Sequence, residues 1–444
     1  MSPIRQWIKE RGITEVEAII PDMAGVARGK IMPAEKYSEA EGIRLPEAIF
    51  LQTVTGDYPE DERAINPAEI DIRLLPDEST IRLVPWAADP TAQIIHDCFY
   101  MDGRAVDMAP RYVLRRVVEL YEREGWVPVV APELEFFLVK PNTDSDYPLE
   151  PPVGRSGRPE IGRQSYSIDA VNEFDPLFED MYDYSEAQGI GIDTLIHESG
   201  AAQMEINLLH GHPLELADQA FLFKRTVREA AIRHQMYATF MAKPMEKEPG
   251  SAMHIHQSVL DRETGLNVFS DGQGQPSELF FAHIAGLQRY IPATMPFFAP
   301  YVNSYRRITR YHAAPINVQW GYDNRTAGLR VPYAEPQARR VENRLAGADA
   351  NPYLAIAASL ACGYLGMRQR LEPSEPLATS AYEEPYALPR SLAESLRLLS
   401  ACDPLKEVLG EHFLLAFNAV KDSEYETFMQ VISSWEREYL LLNV

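Results

Sequence analysis

The sequence predicts an α+β protein with a small β-rich N-terminal domain over residues 1–105 and a larger α+β domain over residues 106–444. Three observations support this. Short runs of apolar and β-branched residues crowd the first hundred positions, as in small sheets. At Met108 the pattern changes to long stretches of helical period. Between them, a length of 444 residues allows two or three domains, or one large enzyme domain with an appendage.

In chain order, residues 2–12 form an amphipathic helix stopped by Gly12. Residues 15–22 read as a strand, and MAGVARGKIMP supplies a Gly-rich turn and a second strand. Further strands are expected at 70–74, 80–84 and 92–100. Residues 109–125 form a helix with Pro110 in its first turn, where a missing N–H does no harm. Residues 126–139 are one long strand or a strand pair. The Pro/Gly/Ser-rich stretch 141–165 is an excursion loop, and helices return at 176–188 and 214–237. The longest apolar run, 353–365, is too short to span a bilayer. It follows an Asn351-Pro352 start signal, so it is expected as a buried helix. There is no internal repeat.

The net charge of −23 argues against nucleic acid or an anionic membrane as a general partner, because both reward a basic surface. Three cysteines, Cys98, Cys362 and Cys402, have no zinc or disulfide spacing, and MSPIRQWIKERG has no leader-like apolar run. A reducing cytoplasm is the expected location. Yet this acidic chain gathers eight arginines and no lysine between positions 306 and 344: Arg306, Arg307, Arg310, Arg325, Arg330, Arg339, Arg340 and Arg344.

Several polar pairs fall two residues apart in apolar strand patterns and therefore share a face. They are Glu133 and Glu135 in PELEFFLV, His254 and His256 in SAMHIHQS, and Glu342 and Arg344 in RRVENRL. Glu198 and Glu205 flank a small-residue break at 199–202. Singly, each pattern is more often a solvated face or a surface ion network. Together they carry weight only if they share a pocket. In one pocket, a carboxylate-rich set with imidazoles suits Mg²⁺ or Mn²⁺. Arginines beside it suit phosphoryl transfer, which depends on positioning and charge neutralisation. No GxxxxGK[ST] is present, so side chains must cradle any phosphate.

PELEFF, HESGAAQMEIN, GSAMHIHQS, NSYRR, NRTAGLRVP and ARRVENRLAGADANPYLA, in this order, resemble the signatures of the glutamine synthetase family, and IIPDMAGVARGK resembles its β-grasp start. The resemblance implies an N-terminal β-grasp domain and a catalytic domain with a curved antiparallel sheet. It also implies homo-oligomers, hexameric rings or stacked double rings, with active sites between subunits. ATP would be a co-substrate with two or three Mg²⁺ or Mn²⁺ ions. One metal would sit on Glu135, Glu198 and Glu205, and another on Glu133, His254 and Glu342. His256, Ser258, Arg325, Arg330 and Arg340 would face the nucleotide. Gly250, Arg307, Arg325 and Arg344 would hold glutamate, while Arg339 reads equally well as an ion-pairing neighbour.

The chain departs from the family where ammonium would bind. The glutamate expected before Ala-Pro is Ala313, the N-terminal-loop aspartate is replaced by Leu51 or Gln52, and an asparagine is replaced by Pro249. Losing both carboxylates while the metal and phosphate positions stay filled favours a larger nucleophile. The reading is a γ-glutamyl-amine ligase for a monoamine with an apolar or aromatic tail, or for a polyamine served by Asp57 or Glu60. An ammonia-dependent glutamine synthetase and a non-catalytic relative are the alternatives. His312, Asp57 and Glu198 are the candidate proton acceptors. The tail ISSWEREYLLLNV resembles a ring-linking segment. Tyr386 in PYALP resembles a modification site, for which a structural role is the simpler expectation.

Overall fold

The first helix, Pro3–Glu10, begins where the Ser2 hydroxyl accepts the Arg5 N–H and ends before Gly12, whose φ of +59° turns the chain. The computed structural model describes residues 2–39, 42–61, 63–64, 68–310 and 314–444.

Six strands follow: β1 (Glu15–Pro21), β2 (Ala27–Pro33), β3 (Ile43–Pro46), β4 (Asp71–Pro76), β5 (Arg82–Leu83) and β6 (Thr91–Phe99). They form one sheet in the order β2-β1-β6-β4-β3, with β5 also on β6. The β1–β2 hairpin closes because the Asp22 carboxylate accepts the N–H groups of Ala24 and Val26 and the Nε of Arg28. β6 returns parallel to β1. A hairpin whose first strand lies parallel to the last is what the β-grasp expectation requires. The strand expected over 80–84 shrinks to β5, because Glu78–Thr80 form a short 3₁₀ turn capped by Asp77.

The second sheet contains β7 (Trp126–Val139), β8 (Ile192–His197), β9 (Gln203–Leu208), β10 (Tyr237–Thr239), β11 (Met253–Asp261), β12 (Trp320–Tyr322), β13 (Leu329–Val331) and β14 (Val341–Asn343). Its order is β12-β13-β14-β11-β7-β9-β8, with β10 on the far end of β7, and only β12–β13 is parallel. β7 is a single 14-residue strand, long enough to pair with β9, β10 and β11. Residues 141–165 are irregular, as the composition predicts. The helix expected over 214–237 ends at Arg233. Gln235 takes a φ of +56° and the chain enters β10 at Tyr237, so pairing with β7 overrides helical period.

Helix Pro352–Gln369 is capped by the Asn351 side chain on the N–H groups of Tyr353 and Leu354, and is buried through Met367. It crosses helix Glu278–Phe298, and the two glycine-bearing backbones come into contact. Charged groups fasten the first sheet to the helices of the second. Buried Arg111 reaches Asp77 at 2.7 Å, Asp97 at 2.6 Å and Asp218 at 2.9 Å, and the Tyr353 hydroxyl donates to Asp218 at 2.6 Å. Such a network is strongly destabilised when one partner is removed. The three cysteines are free. Among the described residues, no helix is long and apolar enough to cross a membrane.

Candidate active site

Strand register brings the i, i+2 pairs together. Across β7 and β9, Glu135 faces Glu205 and Glu133 faces Asn207. Across β7 and β11, Glu133 faces His254, and across β11 and β14, His256 faces Glu342. Arg330 on β13 faces Glu342 in turn. Because pleating sends alternate side chains to one face, six strands, β7, β8, β9, β11, β13 and β14, contribute to a single cavity of about 340 Å³.

Three groups of ligand atoms lie within 4.8 Å of one another: Glu135, Glu198 and Glu205; Glu133, His256 and Glu342; and Glu133, Glu205 and His254. The first is the set expected from the sequence. His254, expected with Glu133 and Glu342, lies beside both of them, and His256 reaches the same two carboxylates. His256 Nε2 lies 2.7 Å from Glu133 Oε1, whereas His254 Nδ1 lies 3.2 Å from Glu133 Oε2 and 3.5 Å from Glu342 Oε1. Glu342 is also held by Arg344 through Oε1 and by Arg330 through Oε2, the latter at 3.0 Å.

The electrostatics fit a cation. Burial and the neighbouring Glu198 charge push Glu135 up to about 8. Burial, with Glu133, Glu135, Glu198 and Glu342 around it, pushes Glu205 up to about 10. Burial likewise raises Glu198. Glu133 is also buried, which would raise it, but hydrogen bonds to His254 and His256 hold it well below the usual range. Three carboxylates this close cannot all stay ionised without positive charge between them. All donors are hard oxygens apart from the imidazoles, and the buried Asn207 Oδ1 beside them accepts no hydrogen bond among the described residues. The residues therefore fit divalent cations, with Glu135, Glu198 and Glu205 as one candidate set and Glu133, Glu342 and the two histidines as the other.

The arginine wall is built by the NSYRR block. Asn303 exchanges hydrogen bonds with the backbone of Lys243, and the Ser304 hydroxyl donates to Asp349 at 2.6 Å. Arg307, also buried, donates to the carbonyls of Leu345 at 2.9 Å and Arg344 at 3.0 Å. Its position explains Gly250: a Cβ there would lie 2.6 Å from the Ala242 carbonyl and from Arg307 Cγ. Arg344 Nε is buried with no partner among the described residues and sits in the cavity wall, suited to an anion. Arg325 and Arg330 line the same cavity, as does Pro249. His256, Ser258 and Arg340 lie outside that lining. Arg340 Nε contacts His256 Nδ1 at 3.2 Å, and Ser258 continues the same face of β11. Arg339 is a structural neighbour that donates to the Phe269 and Gly274 carbonyls.

His312 and Ala313 lie outside the described residues. Leu51 is buried, and Gln52 donates to the Gly56 carbonyl within its own turn. Asp57 accepts from Thr55 at 3.0 Å. Neither these residues nor Glu60 line the cavity. Tyr386 lies between the guanidinium groups of Arg310 and Arg390, at 5.2 Å and 4.3 Å, which suits a structural role. Gln203, Asn207 and Tyr166 also line the cavity. Gln203 and Asn207 flank Glu205 at two-residue spacing on β9, a period that could have found them. Tyr166 directly follows the excursion loop and has no local signal.

The family model for the glutamine synthetase catalytic domain matches residues 107–440. The gamma-glutamylputrescine synthetase PuuA of Escherichia coli K12 is 36% identical over 96% of this chain and 92% of its own. The glutamate–isopropylamine ligase of a Pseudomonas species is 31% identical over 98% and 96%. The solved GmaS/ADP complex superposes with a TM-score of 0.85 at 28% identity, covering 99% of this chain and all of GmaS. A fold of this kind around paired carboxylate–imidazole and arginine walls defines a carbon–nitrogen ligase. The chain belongs to the glutamine synthetase family, whose members use ATP and divalent metals.

Proposed function

We propose that the chain joins the γ-carboxylate of glutamate to an organic amine, with ATP consumed through γ-glutamyl phosphate. The observation that carries this reading is the convergence of Glu133, Glu135, Glu198, Glu205 and Glu342 with Arg307, Arg325, Arg330 and Arg344 in one cavity. Gly250, Arg307 and Arg344 bind glutamate. Arg325 and Arg330, with Arg340, His256 and Ser258 beyond the cavity, orient the ATP phosphates so that the γ-carboxylate oxygen meets the γ-phosphorus. Two or three Mg²⁺ or Mn²⁺ ions, held by the carboxylates, His254 and His256, would neutralise charge on the transferred phosphoryl group. The amine then attacks the acyl carbon, phosphate departs, and the extra proton passes to Glu198 or His312, or to an Asp57 reaching in from a neighbouring copy.

The relatives favour an amine acceptor, and so does the wall around it. The carboxylates lining the cavity are those of the metal sets, while Tyr166, Thr194, Ile196, Pro249 and Ala314 are uncharged. A neutral wall suits a monoamine with an apolar or aromatic tail better than bare ammonium, with a polyamine next. Residues 1–105 and 106–444 are proposed as the two domains of a cytoplasmic homo-oligomeric ring, with neighbouring copies completing each site. The test is phosphate release with glutamate, ATP, Mg²⁺ and a panel of monoamines, diamines and ammonium. Monoamines should exceed ammonium. Equal or faster turnover with ammonium, as in the glutamine synthetases 30–31% identical to this chain, would overturn the reading.

A further inference from the structure

Glu135 and Glu205 are held by strand register, but Glu198 lies just beyond the end of β8, where no ladder fixes it. Other groups hold its backbone. Glu198 N–H donates to the Gln203 carbonyl at 2.7 Å. The flanking carbonyls are taken by the end of the excursion loop and the residue after it: Tyr166 N–H donates to His197 O at 2.8 Å, and Arg163 N–H to Ser199 O at 2.9 Å. Arg163 and Tyr166 both sit at positive φ, +67° and +62°, a conformation that costs energy unless its surroundings impose it. The last carbonyl, that of Glu198 itself, lies 2.6 Å from Nδ1 of His197. A carbonyl only accepts, so Nδ1 carries the proton. The other nitrogen, Nε2, lies 2.6 Å from Glu160 Oε1, with both side chains buried. Gln164 donates to the same oxygen at 3.2 Å, and Glu160 Oε2 has no partner among the described residues. A buried carboxylate left so incompletely bonded is costly, and its strong contact is to His197.

We propose that Glu160 and His197 are positioning residues: Glu160 orients the imidazole, the imidazole holds the Glu198 carbonyl, and the 160–166 strap thereby sets where the Glu198 carboxylate stands beside Glu135 and Glu205. This deepens the proposed function, since it rests on those three carboxylates holding a divalent cation. It gives a role to a loop that composition marks only as irregular.

The test is Mn²⁺ binding followed by electron paramagnetic resonance, without ATP or amine, on the full chain and on Glu160→Ala, Glu160→Gln and His197→Gln. Glu160→Ala and His197→Gln should bind Mn²⁺ about tenfold more weakly, the usual effect of removing a group that orients a metal ligand. In Glu160→Gln the amide can still donate to Nε2, so most of the affinity should return. With an amine that turns over, kcat should fall in the first two variants while the KM for ATP holds. Parent-level Mn²⁺ affinity in Glu160→Ala or His197→Gln, with only the melting temperature lowered, would overturn the proposal. So would equal losses in Glu160→Ala and Glu160→Gln. Because the titration needs no acceptor, a failed amine panel would leave this result standing.

Discussion

Glu135 and Glu205 face each other across two central strands, and both are held protonated well above the ordinary carboxyl value of 4.5. The sign of the linkage follows. A carboxyl raised in the folded state stabilises fully below its unfolded pKa and loses that contribution as pH rises through the folded value. For Glu135 that window runs from 4.5 to about 8, and for Glu205 from 4.5 to about 10. In a chelator, thermal stability should therefore decline between about pH 5 and about pH 10. Saturating Mg²⁺ or Mn²⁺ should suppress the decline and release protons on binding. Calorimetry in EDTA and in Mg²⁺ across this range checks it. Identical profiles in the two buffers would count against a metal site here. Glu133 and Glu342, both lowered, act only on the acid side.

At the scale of elements, two features decide how the site is supported. β7 is long enough to bring β9 and β11 to either side of the Glu133–Glu135 pair, so a slip of one residue would turn both carboxylates away from the cavity. Beneath the sheet, helices Glu278–Phe298 and Pro352–Gln369 touch through glycine. A Cβ on Gly286 would lie 2.2 Å from the Cys362 carbonyl, and one on Gly366 would lie 2.1 Å from the Ala282 carbonyl. Both obstacles are backbone, so an added methyl must force the helices apart. Gly366→Ala should destabilise by about 1–3 kcal/mol, seen as a lower denaturant midpoint. A midpoint unchanged from the parent would show that the crossing yields more easily than these contacts indicate. Strand faces and the capped, apolar 352–369 helix were legible in sequence because their signals are local periods and cap residues. The end of helix Pro213–Arg233 was not, because pairing of β10 with β7 is a non-local competitor.

At the scale of the molecule, the final segment stands out. Val431, Ile432, Trp435, Leu441 and Leu442 are each more than half exposed, an apolar surface unusual on an acidic protein. A covering partner is the simplest physical account, and the proposed ring supplies a second copy of the chain. Deleting residues 431–444 should lower the assembly mass measured by light scattering. An unchanged mass would place the oligomer contacts elsewhere.

Residue types and spacings, with the ordered motifs that resemble the glutamine synthetase family, pointed to the chemistry. Carboxylates and histidines at period two, and a segment with eight arginines and no lysine in an acidic chain, suited a divalent-metal and phosphate site on condition that they met in one pocket, because side-chain direction in a strand follows from the backbone alone. The local pattern left open which groups meet. His256 rather than His254 lies nearest Glu133, Arg339 turns to carbonyls outside the cavity, and Glu198 is held by a loop more than thirty residues upstream. Register, burial and long-range hydrogen bonds decided these points. Each is a contact between segments far apart in the chain, and no local period encodes it.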